Sequence, residues 1–398
     1  VSSPLQELRS YFHELMDWSG PELDPVDFVC AAYLGTFLLG SVERPWCDLC
    51  GGAGTGKGEL IRMMEEYERS HVRHHLTESA FASAFRDEKD PDKDHSLLED
   101  LSYESKPVGP KVLLLPELSS FLSMRTEKVG KFFSDLRAAF DGKFDVQAGN
   151  IGKVSHGKLN FGYIAGCTEA LDIFRKRNQT LGERTLVCRI ARHLSRYEAQ
   201  RRLAHHAACT DCLKKEALRT TIVEYFNVAM TRAILRVSRG ETVRRDRAIN
   251  IRVGDVAHLS VIARSVPMEY NGTPYFVTHG EVPTRLPLQL LSWGDARALF
   301  DRRDTWNDSD YQMVRRIAQD TAPPENLRIL STMWKNHHGH WWSVGDLAIA
   351  AKVESPPLRR QLRQWTILDH FEQRGTNEFR MNPLMVEDIH STDFMKDL

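Results

Sequence analysis

The sequence predicts an α/β protein: a core of parallel strands, a helical segment after it, and a small C-terminal unit of helices and a β-wing. Three observations carry that expectation. Lys111 to Leu115 (KVLLL) and Leu159 to Gly166 (LNFGYIAG) are short, apolar runs of the kind that form strands buried on both faces. A glycine-rich stretch, 51–58, lies between an expected strand (Arg44 to Cys50) and an expected helix (Glu59 to Glu68). Beyond Pro323-Pro324 the pattern becomes helix, helix, basic helix and hairpin.

Composition sets the bounds. A chain of 398 residues is long enough for two or three domains of ~100–200 residues each. Apolar residues make up 41% and charged residues 27%, enough to bury a core. The net charge of −1 gives no whole-chain bias towards nucleic acid, so any basic surface must be local. The longest apolar run, Phe28 to Leu39, is short of the ~20 residues that a membrane span needs and reads as a core helix; no membrane partner is expected. No charged-then-apolar leader is recognised. Seven scattered cysteines argue against a disulfide framework and for a reducing compartment, so a cytoplasmic protein is expected.

Residues 4–18 read as an amphipathic helix, and Asp24-Pro25 caps a second helix through Leu39. Residues 87–110 are polar and read as a surface loop. A helix is expected from Thr126 to Phe140 and a hairpin over 144–158, with Gly149-Asn150 and Gly152 near its turn. Arg189 to Arg239 reads as helical, Arg264 to Pro287 as extended, and helices resume near Leu288. The expected divisions are N-terminal helices packing on the core (1–43), the core (44–200), a helical lid with its connecting segment (201–322) and the C-terminal unit (323–398).

The glycine stretch reads Gly51-Gly52-Ala53-Gly54-Thr55-Gly56-Lys57-Gly58-Glu59, a fit to G-x-x-x-x-G-K with glycine where Ser or Thr follows elsewhere. Its glycines let backbone N–H groups converge on phosphate oxygens, and the following helix directs its positive end at them. Gly51, Gly54, Thr55, Gly56, Lys57, Gly58 and Glu59 are therefore the expected contacts of ATP, taken with Mg2+, and Lys57 would reach the terminal phosphates. Glycine at 58 has no hydroxyl to ligate magnesium. Either Thr55 or a water substitutes, or nucleotide is held with weak magnesium and slow hydrolysis. Glu117, after the KVLLL strand and Pro116, is the acid that would handle magnesium or polarise the attacking water. An exposed acid at a strand end is the plain alternative; pairing with a glycine loop ~60 residues upstream favours the catalytic one. Thr168, at the tip of the LNFGYIAG strand, is placed to sense phosphate, to cap the helix Glu169 to Arg175, or both. Arg184, in LGERTL, is a candidate to neutralise charge at a neighbouring subunit's phosphate, and Arg285, in PTRL, to contact nucleotide from a lid.

These five elements occur in the order of the AAA+ family. The chain resembles an ATP-binding, helicase-like family of phages and mobile elements through DPVDFVCAAYLGTFLLG, HSLLEDL, LSSFLSMRTEKVGKFFSDLRAAFDGKF, GKLNFGYIAGCTEALD, LGERTLVCRI, IARSVP and EVPTRLPLQL, which span roughly residues 24–330. The order is also similar to the minichromosome-maintenance branch, where a hairpin precedes the sensor strand. The resemblance implies an AAA+ P-loop core with helical lid, an ATPase acting on DNA, and homo-oligomers forming a ring or filament. It makes FDVQAGNIGKVSHGKL the hairpin and Lys153 its DNA-touching lysine. The departures are Gly58, and Pro116-Glu117 where relatives usually have Lys-Asp; both fall on magnesium chemistry.

In the C-terminal unit, helices are expected over Asn326 to Asn336 and from Val344 to Ala351. Ser355-Pro356-Pro357 then opens a helix, Leu358 to Ile367, carrying Arg359, Arg360 and Arg363, and Phe371 to Arg380 reads as a two-strand wing. That is the winged-helix pattern. Its basic helix suits a DNA major groove, and the same fold used for protein contacts or as a lid suits the pattern equally well. Cys47 and Cys50 would face opposite sides of a strand and are not expected to share a metal. His205, Cys209 and Cys212 would share a helix face, without an evident fourth ligand for zinc. His74-His75 and the HHGH run at 337–340 lack metal-binding spacing. Two other functions fit: a nucleotide-gated DNA- or protein-binding scaffold that does not hydrolyse ATP, favoured by Gly58, and a winged-helix regulator whose P-loop fold is only structural.

Overall fold

The computed structural model describes residues 2–38, 43–75, 97–124, 126–148, 152–157, 159–177, 184–190, 200, 204, 212–265, 269–270, 273–274, 284–336, 339–396 and 398. By its internal contacts the chain divides into two units, Val1–Arg244 with Ser292–Asp310, and Arg245–Leu291 with Tyr311–Leu398.

The first unit opens with helix α1 (Pro4–Met16), started by a reciprocal cap between Ser3 and Gln6 and stopped at Asp17 in the left-handed region. Leu5, Leu8, Phe12 and Leu15 recur at helical spacing and are buried. Helix α2 (Asp24–Gly35) is buried along nearly its whole length, as the apolar run requires. Its Asp27 carboxylate lies inside the unit, held by Arg9 (2.7 Å) and by Arg297 (2.7 and 2.9 Å). A buried carboxylate is tolerated because two guanidiniums neutralise and hydrogen-bond it.

Strand β1 (Trp46–Cys50) leads through the glycine stretch into α3 (Lys57–Glu65), followed by β2 (Ser70–Val72). Then come α4 (Leu97–Leu101), β3 (Lys111–Leu115), α5 (Ser119–Leu122) and α6 (Thr126–Phe140). The hairpin is β4 (Lys143–Ala148) with β5 (Gly152–Gly157), antiparallel; its turn lies outside the described residues. Strand β6 (Phe161–Cys167), α7 (Ala170–Arg177), β7 (Thr185–Arg189) and the long α8 (Cys212–Ser238) complete the run. Five strands form one parallel sheet in the order β2-β3-β6-β1-β7. Every strand is therefore parallel, and their C-terminal ends share one edge. The Trp46 ring packs among Phe140, Phe161 and Tyr163 on one face of the sheet, with its Nε1 donating to the Phe161 carbonyl (2.8 Å).

Two expectations are corrected. The polar stretch 87–110 is not all surface loop: Leu97, Leu98 and Leu101 form a short helix whose leucines join the core, which repays the ordering of a segment otherwise polar. Arg189, expected to open a helical stretch, instead ends a strand: Thr185–Arg189 lies outermost beside β1, with its centre, Leu186 to Cys188, buried.

The second unit contains α9 (Arg247–Arg264), the short pair β8 (Glu269–Tyr270) and β9 (Thr273–Pro274), and α12 (Pro324–Lys335). Helices α10 (Arg285–Phe300) and α11 (Asp308–Thr321) each have residues in both units. Strand β10 (Trp342–Ser343), α13 (Val344–Ala351), α14 (Ser355–Ile367), β11 (Phe371–Arg374), β12 (Glu378–Met381) and α15 (Pro383–His390) follow. Its sheet has the order β10-β12-β11, antiparallel. Trp365 of α14 stacks on Phe371 at 5.1 Å between ring centres, fixing that helix to the sheet. Among the described residues no helix is long and apolar enough to cross a membrane.

Candidate phosphate-binding site

The glycine stretch turns from β1 into α3 with Gly54 at φ 76° and Gly56 at φ 90°, a region that only glycine enters without strain. Gly56 needs its missing side chain twice over: a Cβ there would lie 2.5 Å from the Trp18 ring. Trp18, stacked on Phe12, thus backs the loop from the N-terminal segment. The amides of Gly54, Thr55, Gly56, Lys57 and Gly58 donate to no group among the described residues, and they sit at and before the first turn of α3. Such converging N–H groups at the positive end of a helix are an anion-binding nest. Lys57 is buried, and its Nζ donates to the carbonyls of Gly51 (2.5 Å) and Gly52 (2.8 Å). Thr55 Oγ1 donates to the Gly52 carbonyl at 2.9 Å. Glu59 is engaged away from the loop, in a two-point ion pair with Arg219 of α8 (2.6 and 3.0 Å). Gly58 is exposed, and a Cβ built on it would meet nothing within 4 Å.

Because β6 lies between β3 and β1, the tips of the three strands present Glu117, Thr168 and the loop side by side. Glu117 is exposed and accepts from the Ser119 amide at 2.9 Å. It borders a pocket of about 140 Å³ with Arg73, His74 and His75, which leave the end of the neighbouring β2. Ser119 also ties the two tips together, its Oγ accepting from the Thr168 amide at 2.9 Å. Thr168 Oγ1 accepts from the Ala170 amide at 3.4 Å, the geometry of a cap on α7. Gly166 permits the close approach of these tips: a Cβ there would sit 2.5 Å from the Pro116 carbonyl oxygen.

Several groups at this edge escaped the sequence reading. Arg189, ending β7, grips Asp172 at two points (2.7 and 2.8 Å) and reaches Cys50 Sγ at 3.7 Å. Cys50 and Cys167 stand opposite each other on adjacent strands. The hydrogen bond from Cys167, with the Arg189 charge, holds the Cys50 thiol below its usual range against the effect of burial. The charged-residue signals were visible, but only strand pairing brings these partners together.

Other candidates lie elsewhere. Arg184 precedes β7 at the opposite, N-terminal edge of the sheet, beside Asp141 (3.6 Å) and over the Phe140 ring. The five residues of β7 at ~3.3 Å each put it about 17 Å from the loop edge of its own sheet. Arg285 opens α10 and belongs to the second unit. Lys153 lies on β5 opposite Gln147, and the hairpin turn 149–151 lies outside the described residues. Arg359, Arg360 and Arg363 are exposed on α14. Cys47 Sγ donates to the Pro45 carbonyl, apart from Cys50. His205 and Cys209 lie outside the described residues, as do His337 and His338; among the described residues no group of metal-ligating side chains is assembled. No protein-family model matches the chain, and no curated protein matches it.

Proposed function

We propose that the chain is an AAA+-type P-loop ATPase that acts on DNA as an oligomer. The observation that carries the reading is the loop. Five amides without partners among the described residues, together with Lys57, surround the N-terminus of α3 at the C-terminal edge of a parallel sheet, which is where α/β folds bind ligands. The donor set fits ATP: amides 54–58 would hold phosphate oxygens, and Lys57 would exchange its two loop carbonyls for them. It also fits Mg2+ held mostly by water and phosphate, since one carboxylate, Glu117, suffices for such a site. Glu117 is the residue we assign to orient water or metal, and Thr168 the phosphate sensor, a role compatible with its cap on α7. Arg184, at the far edge of its own sheet, suits a role in trans and therefore a second copy. Arg285 is the lid arginine.

The three-stranded sheet β10-β12-β11 with α12, α13 and α14 supports the winged-helix reading. There Arg359, Arg360 and Arg363 would meet DNA phosphates or base edges, and Lys153 would do so from the hairpin. ATP turnover with and without DNA, on the wild type and on Lys57→Ala and Glu117→Gln, tests the enzymatic part; equal rates in all three would sink it. Mobility shift with a duplex, on an Arg359→Ala/Arg363→Ala variant, tests the DNA part; unchanged retention would remove α14 from it. Gly58 favours a second reading, a nucleotide-gated scaffold without turnover. Saturable ATP binding with no phosphate release in a single-turnover assay would select it.

A further inference from the structure

Away from the loop, the first unit carries a groove of about 330 Å³ that the chemistry above leaves unused. Its floor is apolar, made by Ala229 and Ala233 of α8 and by Leu299 and Phe300 at the end of α10, with Leu235 48% exposed beside it. Its rim is arginine. Arg232, Arg236 and Arg239 recur at i, i+4 and i+7 on one face of α8, and Arg302 faces them from beyond α10. Arg236 is fixed, donating to Glu241 (2.6 Å) and to the Leu299 carbonyl (2.8 Å). Arg232, Arg239 and Arg302 are exposed and make no ion pair among the described residues. The nearby Asp301 is occupied by Arg303 and the Leu5 amide, so the groove keeps an excess of positive charge. Arg232 lies thirteen residues along α8 from Arg219, the partner of Glu59 next to the loop, so about 20 Å separates the two places.

The lining decides what fits. A nucleic-acid strand uses exposed aromatic rings to stack its bases, and among the described residues that line the groove the one aromatic ring, Phe300, is buried. An apolar floor under guanidiniums suits carboxylates flanking a bulky apolar side chain. Arginine binds carboxylates in pairs of parallel hydrogen bonds, and the floor has room for a leucine or phenylalanine. We propose that this groove docks an acidic peptide segment of a partner protein, its carboxylates on Arg232, Arg239 and Arg302 and one large apolar side chain on the floor.

The test is fluorescence anisotropy of the full chain with a labelled Asp-Asp-Leu-Phe-Asp-Asp peptide, its Asp-Asp-Ser-Ser-Asp-Asp counterpart and a labelled oligothymidylate. The expected result is binding of the first peptide. It should weaken ~10-fold or more in Arg232→Glu/Arg239→Glu and in Arg302→Glu, and ~5-fold in Leu235→Ser or with the serine peptide. ATP binding and thermal midpoint should stay at wild-type values, because the substituted side chains are exposed. The proposal is overturned if the first peptide fails to bind, or if its affinity is the same in the charge-reversed variants. It is equally overturned if those variants lose oligothymidylate and keep the peptide, which would make the groove a nucleic-acid site.

Discussion

The two edges of the central sheet hold their lysines in different ways. At the N-terminal edge, charged groups are consumed by the fold. Lys111 is fully buried, and its ammonium donates to the carbonyls of Ser102 (2.6 Å), Ser105 (2.9 Å) and Gly109 (3.4 Å). Arg184 rests on Phe140 beside Asp141, and one strand inward Asp48 is buried with Arg175 (2.9 Å) and Thr185 (2.7 Å). At the C-terminal edge, five amides lack partners among the described residues, Glu117 faces solvent, and Lys57 donates to carbonyls of its own loop. A lysine bonded to the loop that a ligand would displace is poised; a lysine bonded across the base of a strand is a rivet. Local hydrogen bonding, more than burial, separates the two lysines, since both are buried.

Substituting the two lysines breaks the comparison most directly. Lys111→Ala should leave the Ser105 and Gly109 carbonyls short of a donor, while Ser102 keeps the Ser105 amide and hydroxyl, and should cost about 3 kcal/mol of unfolding free energy, read by urea denaturation. Its folded fraction should bind ATP as the wild type does. Lys57→Ala should do the reverse. Losing one charge-assisted contact set should weaken ATP by roughly 100-fold in calorimetry, while the unfolding free energy changes by under ~1 kcal/mol. If both variants lose stability alike, the two edges are not functionally distinct.

Much of this contrast was legible in the sequence on one side only. The loop was readable because glycine spacing and a following helix are local signals, and β3 and β6 because short apolar runs are local too. The C-terminal unit was readable for the same reason: Ser355-Pro356-Pro357 opens a helix wherever it falls, and the wing is a hairpin four residues a strand. The N-terminal edge was not readable. Lys111 stood out only as the first residue of an apolar strand, and its carbonyl partners come from a stretch read as plain surface loop. Arg189 with Asp172, and Cys50 beside Cys167, depend on strands that the chain brings together over more than a hundred residues in the second case. Pairing at that separation leaves no periodic trace. The outer strand β7 was not expected, because a run of five residues is too short to show a period.

The second unit offers a third treatment of a titratable group, a half-buried ring with a buried nitrogen left unbonded among the described residues. His370 Nε2 is buried without a hydrogen bond among the described residues. Burial, and then the neighbouring His258, lower its pKa from 6.5 to about 4, while Asp369 and Asp388 oppose the shift. The folded value lies below the unfolded one. Above pH 6.5 neither state takes the proton and nothing is lost. As pH falls from 6.5 towards 4 the unfolded chain binds a proton that the folded one refuses, so stability declines, then levels off. Allowing for partial solvent screening, the loss should be about 2 kcal/mol. Denaturation of the wild type and of His370→Leu between pH 7 and 4 checks it; parallel curves would show that His370 does not drive the decline.

Gly58 gives the smallest and sharpest test, because it sits on the open edge and offers no hydroxyl there. A serine side chain fits: a Cβ at 58 meets nothing within 4 Å, and the residue is in the first turn of α3 with helical backbone. Gly58→Ser should therefore be tolerated and should stabilise the helix by about 0.5 kcal/mol, since glycine is the costlier residue in a helix. If the missing hydroxyl limits magnesium, the variant should also raise magnesium-dependent ATP turnover by roughly 10-fold, equal to about 1.4 kcal/mol of barrier. Gly58→Ala separates the two effects, gaining the helix term without the hydroxyl. A rise in Gly58→Ser alone would mark the natural glycine as a brake on hydrolysis at an otherwise competent edge. Equal rates in wild type, Ala and Ser would mean that water already serves the metal, or that Glu117 rather than residue 58 sets the rate. Glu117→Gln in the Gly58→Ser background would decide between those two: an unchanged rate excludes Glu117, and a large fall puts the rate on it.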